Sequence, residues 1–269
     1  MTDPHHDLAT GHIRIFELIA RGAPLSETLE AITRLIESLA EGVLASILLL
    51  DEDGVHLRHG AAPSLPEAYV RAIDGTAIGP SVGSCGTAAY LREPAVASKI
   101  ESDPRWVNFR ELALQHGLQA CWSTPIISSV DNRVLGTFAC YYREPREPGL
   151  WEHTLMETAD RLARLAIDRA RAERAERQAT ALRHLAHLAN ATAHEINNPL
   201  TTVIGRLEMV AERLDAGSDE RELIDKARAA VDRIRDIVAR MHHITRIEYL
   251  IEPGRDLPPI LDIRRSSEE

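Results

Sequence analysis

Apolar positions in the first half of the chain repeat with two different periods. Leu29, Ile32, Leu35, Ile36 and Leu39 fall at helical spacing, whereas Ala45-Ser-Ile-Leu-Leu-Leu followed by Asp51-Glu-Asp-Gly reads as a strand closing in a turn, with 55–59 as the return of a hairpin. A helix is predicted over 66–73, and a Gly-rich stretch, 78–87, leads into a helix opened by Cys85 and running to Leu91. Residues 95–98 read as a short strand, 105–116 as a helix and 120–128 as a strand. Asp131-Asn-Arg then turns the chain into 134–142, which reads as a half-buried strand by alternation. Helices interleaved with antiparallel returns predict an α+β domain with helices packed on an antiparallel sheet.

Beyond Trp151 the pattern changes. Residues 151–250 contain only Gly205, Gly217 and Pro199 as breakers, so the second half is helical, with one long helix from about Trp151 to Leu214. Ala172, Ala175, Ala179, Leu182, Leu185, Ala189, Thr192, Ile196 and Val203 step by threes and fours, a heptad-like seam for a partner helix. The alternative is a plain charged spacer. A stop is predicted at Asp215-Ala-Gly217, with Ser218 or Asp219 capping a second arm seamed by Leu223, Ala227, Val231, Ile234, Val238, Met241 and Thr245. Two amphipathic arms cannot enclose a core alone, so two chains are expected to pair as a homodimer in a four-helix bundle.

Size and charge narrow the partners. The 269 residues suit two modules, and a net charge of −10 repels phosphate backbones, so no nucleic acid is expected. The longest apolar run, 43–50, is far short of a membrane span, and the N-terminus has no basic segment followed by an apolar one, which makes a cytoplasmic location the expectation and a membrane partner not. Three widely spaced cysteines, Cys85, Cys121 and Cys140, read as free thiols rather than a disulfide framework.

Candidate chemistry lies in Ala193-His194-Glu195-Ile196-Asn197-Asn198-Pro199-Leu200. Thr192 and Ile196 lie about 200° of helix from His194 on either side, which turns the imidazole away from the seam. Asn198 at i+4 shares its face, Glu195 is placed to hold an imidazole N–H, and Pro199 removes the backbone bond to the Glu195 carbonyl and acts as a structural hinge. An exposed imidazole with a free nitrogen can attack a phosphoryl group. A zinc-protease helix would need a second histidine where Asn198 stands, so no metal site is expected. A plain surface histidine is the other alternative. His184, His187, His242 and His243 lack this context and read as surface or packing residues.

These residues carry two family resemblances. Gly83-Ser-Cys-Gly-Thr-Ala-Ala-Tyr, Asp103-Pro-Arg-Trp, Leu112-Ala-Leu-Gln-His-Gly-Leu-Gln-Ala-Cys-Trp-Ser-Thr-Pro-Ile and Val134-Leu-Gly-Thr-Phe-Ala resemble the GAF domain of bacterial sensor kinases. That implies a small-molecule or redox input domain, often dimeric through its terminal helices, with an unknown ligand. His194-Glu-Ile-Asn-Asn-Pro-Leu resembles the H-box of the histidine-kinase dimerisation and phosphoacceptor (HisKA) domain. That implies His194 as phosphoacceptor, Glu195 as acid–base partner and Asn198 as the residue placing a hydrolytic water when a regulator is dephosphorylated. The domain organisation read this way is an N-terminal tail, 1–11, a GAF domain with terminal helix, 12–170, a coiled-coil signalling linker, 171–180, the phosphoacceptor hairpin, 181–250, and a C-terminal tail, 251–269.

Nothing in 251–269 could fold around a nucleotide, and no Gly-rich phosphate loop precedes a helix elsewhere. The expectation is a chain that does not phosphorylate itself. It receives phosphate in trans from a histidine-kinase ATP-binding domain, which alone brings Mg and ATP, or it is a piece of a longer kinase. The other partner is a response-regulator receiver domain, toward which the chain can also act as a phosphatase. Cys85 at a helix start and Cys121 on a strand are the redox candidates, with Trp106, His116 and Trp122 as sensory pocket residues. GAF-fold methionine-sulfoxide reductases use cysteines around such a pocket, although a bundle with an H-box has no place in a reductase. The alternative function is a non-catalytic GAF scaffold for dimerisation or redox sensing.

Overall fold

The computed structural model describes residues 4–215, 217–241, 249–250 and 260–261. These divide into two units, the first ending at Ala172 and the second beginning at Glu173. In the first, helices α1 (Pro4–Ala20) and α2 (Leu25–Leu39) precede strands β1 (Leu44–Leu50) and β2 (His56–Ala61). Helix α3 (Glu67–Ile73), strand β3 (Thr76–Ala77), helix α4 (Gly83–Leu91) and strand β4 (Ala95–Ala97) follow. A single 3₁₀ turn (Pro104–Trp106), α5 (Arg110–Gln115), β5 (Ala120–Ile127), β6 (Val134–Tyr142) and the start of α6 (Leu150–Ala211) complete the unit. The sheet is antiparallel in the order β3-β2-β1-β6-β5-β4.

Both faces of this sheet are covered. On one, Ala45, Ile47, Trp122, Phe138, Cys140 and Tyr142 pack against Ile32 and Ile36 of α2 and Leu155, Ala159 and Leu162 of α6. On the other, Leu48, Leu57, Cys121, Ala139 and Tyr141 pack against Tyr69 and Ile73 of α3 and Cys85 and Ala89 of α4. The expected half-buried β6 is therefore corrected: Leu135–Tyr142 is buried throughout, because consecutive side chains enter two different cores. The Trp151 Nε1–H donates to the Leu39 carbonyl at 3.2 Å and ties α6 to the end of α2.

Other expectations need amendment. Residues 4–11, assigned to a tail, are the first turns of α1; Leu8 is buried there, and Gly11 lies so close to Leu35 that a Cβ would overlap its side chain. The helix expected over 105–116 is broken into the 3₁₀ turn and α5. Asp103 caps the turn by accepting the Arg105 N–H at 2.9 Å, and Trp106 is turned inward under α4. Strand β3 is too short for the sequence pattern to predict, since only two residues carry it.

The second unit is a helical hairpin made by the C-terminal part of α6 and α7 (Asp219–Met241). Ser218 caps α7 by accepting the Arg221 N–H at 3.2 Å, and Arg221 reaches back to the Ala211 carbonyl. The buried stripe runs through Ala189, Ala193, Ala211 and Val238. Ala189 and Val238 belong to the expected seam, Ala193 beside it is fully buried, Thr192 and Ile196 are half-buried, and Val203, Leu223 and Ile234 are exposed in the single chain. Ala172, Ala175 and Ala179 are exposed as well. Residues 260–261, placed in a tail, pair as β8 (Ile260–Leu261) with β7 (Tyr249–Leu250). The expected positions Thr245, His242 and His243 and the rest of the tail lie outside the described residues.

Gly136 has no room for a side chain. A Cβ there would stand 2.0 Å from the Leu48 carbonyl oxygen, and that atom is backbone of the neighbouring strand. At Gly205 in α6 a Cβ would meet nothing within 4 Å. Gly136→Ala is expected to destabilise the sheet unit by about 3 kcal/mol. Gly205→Ala is expected to stabilise the hairpin by roughly 0.8 kcal/mol through helix propensity. Denaturant titrations of the two variants beside the parent check both signs.

Candidate functional site

The GAF interior offers the first site. Helix α4 lies over β5 and β6, anchored where Ser84 Oγ donates to the Cys121 carbonyl at 2.9 Å and accepts the Trp106 Nε1–H at 3.2 Å. Gly83, the residue that starts α4, sits at φ +56 with the Trp106 ring against it, a conformation open to glycine and rarely to other residues. The next turn delivers Cys85 onto the sheet. Its sulfur lies 3.5 Å from the Tyr141 hydroxyl, and Cys121 belongs to the same buried cluster. Cys121 and Tyr141 are directly opposed across β5 and β6, which brings them to one face.

The pair is electrostatically unequal. The hydrogen bond from Cys121 is the largest effect on Cys85 and, against burial, lowers its pKa to about 6, with Tyr141, Ser123 and Thr137 hydroxyls adding in the same sense. Burial pushes Cys121 far up, and the neighbouring Cys85 sulfur pushes it further. Tyr69 and Tyr141 are also raised by burial. Cys85 is thus the group of the cluster that ionises first.

Beside Cys85 is a cavity of about 30 Å³ lined among others by Tyr69, Ile73, Gly83, Phe109 and Tyr141. Its size suits a water-sized molecule and is well below the roughly 300 Å³ at which drug-sized ligand sites begin. Of the expected pocket residues, the structure brings Cys85, Cys121 and Trp106 together. His116 is half-buried at the end of α5, its ring edge-on to Tyr69 at 5.8 Å. Trp122 does not join them: it points through the opposite face of β5, its ring tilted 41° to that of Tyr142 at 4.6 Å between centroids, with its Nε1–H on the Arg146 carbonyl. Neighbours in a strand face opposite ways, so Cys121 and Trp122 cannot share a pocket. The same parity, applied to β6, identifies Thr137 and Tyr141, which reading the strand as half-buried passes over.

Asp103 and Arg105 brace the loop under this site. Burial pushes the Asp103 carboxyl up, but the Arg105 guanidinium, 2.5 Å away, outweighs it and holds the carboxyl below its ordinary range. Arg105 also donates to the Val96 carbonyl at 2.5 Å, joining the loop to β4.

The second site is on α6 within the hairpin unit. His194, Glu195, Asn198 and Pro199 are all exposed, while Ala193 beside them is fully buried. No hydrogen bond joins His194 to Glu195 among the described residues, because adjacent helical residues diverge by about 100°. Thr201 and Thr202 hydroxyls donate to the Asn197 and Asn198 carbonyls at 2.9 and 3.4 Å, supporting the helix on either side of Pro199, whose ring nitrogen supplies no donor to Glu195. The site therefore presents an imidazole, a carboxylate and a carboxamide to solvent with nothing covering them in the hairpin.

Comparison with known proteins follows the same division. A model of the GAF domain matches residues 24–167, and one of the His Kinase A (phospho-acceptor) domain matches residues 184–250. The methyl sulfide methyltransferase-associated sensor of Methanosarcina acetivorans is 37% identical over 166 residues, 62% of this chain and 16% of that protein. The sensor histidine kinase ZraS of Escherichia coli K12 is 31% identical over 78 residues, 29% of this chain and 17% of that protein. The chain spans about a sixth of the length of these curated relatives. Among solved structures, the GAF domain of a phosphoenolpyruvate-protein phosphotransferase from Coxiella burnetii has a TM-score of 0.51 at 19% identity, covering 65% of this chain and 99% of that one. A GAF sensor protein from Burkholderia vietnamiensis has a TM-score of 0.50 at 17% identity, covering 63% and 99%. The chain belongs to the GAF family, and its GAF domain is followed by the phospho-acceptor domain of sensor histidine kinases.

Proposed function

We propose that this chain is the input and phosphoacceptor portion of a two-component signalling system, in which the GAF domain governs the phosphorylation state of His194. The observation that carries the reading is the outward set His194, Glu195 and Asn198 beside a fully buried Ala193. A helix kept only for pairing needs its stripe and not these three residues in solvent. An imidazole nitrogen of His194 attacks the γ-phosphorus of ATP held by a histidine-kinase ATP-binding domain. The bond to the β-phosphate oxygen breaks and the imidazole proton is lost. Glu195, one residue on and not bound to the ring, receives that proton at the approach of the donor. A response-regulator aspartate then takes the phosphoryl group, and Asn198 orients water when the regulator is dephosphorylated.

Homodimerisation belongs to the same proposal. Leu188, Leu223 and Met209 are 69%, 65% and 57% exposed in the single hairpin, an apolar surface that a second hairpin would cover. Light scattering of the full chain at micromolar concentration is expected to give the mass of two chains; a monomer overturns the bundle.

The transfer assay uses separately purified ATP-binding domains and receiver domains with labelled ATP. Label is expected on the parent and then on the receiver, and none on His194→Gln. Asn198→Ala is expected to keep transfer and to slow loss of label from the receiver by on the order of tenfold. If no partner labels the parent, the hairpin is a scaffold.

Because α6 is one helix from Leu150 to Ala211, a signal passing along residues 171–180 changes the rotation or register of paired helices. Deleting one residue near Arg174 is expected to alter the phosphorylation level sharply, and deleting seven to restore it, since the heptad phase returns. Equal effects in the transfer assay would remove the helix as the route.

A further inference from the structure

Two residues other than glycine hold a left-handed backbone among the described residues, Arg92 at φ 62 and Asn132 at φ 58, and they are bonded to each other. The Arg92 guanidinium donates to the Asn132 carbonyl at 2.6 Å and to its side-chain Oδ1 at 3.0 Å. Arg92 ends α4 with its N–H on the Ala88 carbonyl, a position that glycine fills at lower cost. A helix stop alone does not call for arginine. Arg92 is exposed, so it gains no packing either; what it adds is a side chain that reaches the β5–β6 turn, 128–133, bonding a residue 40 positions on.

The other side of the same turn is fastened to α6. Asp168 accepts the Ser128 hydroxyl at 2.7 Å on one oxygen, and the Ser129 N–H and hydroxyl, each at 3.2 Å, on the other. Ser128 is buried and also accepts the Val130 and Asp131 N–H groups, so a single hydroxyl shapes the turn and holds the carboxylate. Nearly one helical turn further along α6, Arg171 reaches Asp131 at 3.3 Å. Asp168 and Arg171 stand in the last turn of α6 that belongs to the first unit, which ends at Ala172. The turn is therefore bonded on one side to the end of α4 and on the other to the helix that carries His194.

We propose that the β5–β6 turn is a clasp that couples the position of α4 to the last turn of α6 in the GAF unit, with Arg92 and Asp168 as its two positioning residues. Helix α4 covers the buried cluster of Cys85, Cys121 and Tyr141, held at its start by Ser84 and at its end by Arg92. The stems of β5 and β6 are fixed between two cores, so a shift of α4 that pulls on Asn132 is taken up by the turn and reaches Asp168. Most of these bonds are exposed and individually weak, which lets the link release without unfolding the domain. As a control of His194 the clasp rests on the two-component reading; as a link between α4 and α6 it does not.

The test is a double-variant cycle on the full chain, read by hydrogen exchange. Arg92→Gly removes the guanidinium and suits the local backbone, and Asp168→Ala removes the carboxylate and favours the helix, so faster exchange would not come from local conformational preference. Arg92→Gly is expected to speed exchange over residues 168–172 about threefold, the size of one exposed contact, although it lies on another element. Asp168→Ala is expected to speed it at least as much, and the double variant no more than Asp168→Ala, since the link is already cut. Arg92→Asn, which tolerates the left-handed backbone but falls short of the turn, is expected to repeat Arg92→Gly. Unchanged exchange over 168–172 in both Arg92 variants, or effects that multiply in the double variant, would overturn the proposal. In the transfer assay the two single variants are expected to move the label on His194 in the same direction, and opposite directions would overturn the clasp as a control. If the parent takes no label, the phosphotransfer reading fails while the exchange cycle still decides the coupling.

Discussion

Burial of the central strands on both faces is the constraint from which the GAF domain follows. An antiparallel strand with one wet face can tolerate error on that face, but β5 and β6 have none: each residue must suit either the core shared with α2 and α6 or the one shared with α3 and α4. Gly136 shows how tight the arrangement is, since backbone of β1 occupies the place its side chain would need. The parity of each strand then assigns chemistry. Trp122 and Cys140 are opposed across β5 and β6 and enter the side shared with α2 and α6, while Cys121 and Tyr141, one residue away on each strand, enter the α4 side.

The hairpin obeys the opposite rule. Its buried stripe is mostly alanine, and each alanine buries about one methyl, or about 0.8 kcal/mol. That is too little to hold two arms against chain entropy, so the stability of this unit depends on what covers the leucines, valines and isoleucines it exposes. A thin stripe also leaves neighbouring registers close in energy. The proposed transmission needs such a helix pair, since a modest difference in energy can then select between arrangements.

How much was legible in the sequence differs between the two units for a physical reason. The hairpin's helices, its Ser218 cap and the outward His194 are read from spacing and capping rules, which act over a few residues. The stripe is legible only in part: Ala189 and Val238 are buried as expected, but so is Ala193, because a chain rich in alanine offers several stripes of similar apolar weight and the partner arm decides between them. In the sheet, the strands are legible but the pocket is not. Trp122 and Cys121 are adjacent in the chain and separated by the full thickness of the sheet, and a strand buried on both sides carries no polar–apolar alternation to reveal it. The break between the 3₁₀ turn and α5 is likewise hidden, since it follows from the contact of Trp106 with Ser84, 22 residues away.

The two candidate sites place a thiol and an imidazole in opposite environments, one buried and one exposed. In the proposed phosphotransfer the partner of His194 is another folded domain, which the exposed imidazole on α6 can meet. Cys85 is buried against β5 and β6, with its sulfur 3.5 Å from the Tyr141 hydroxyl. Ser123 and Thr137 occupy α4-side positions that a purely apolar core would give to valine, and the Ser123 hydroxyl donates to the Phe138 carbonyl at 3.2 Å. Valine has the shape of threonine and would leave no hydroxyl without a partner, so packing alone does not account for Thr137.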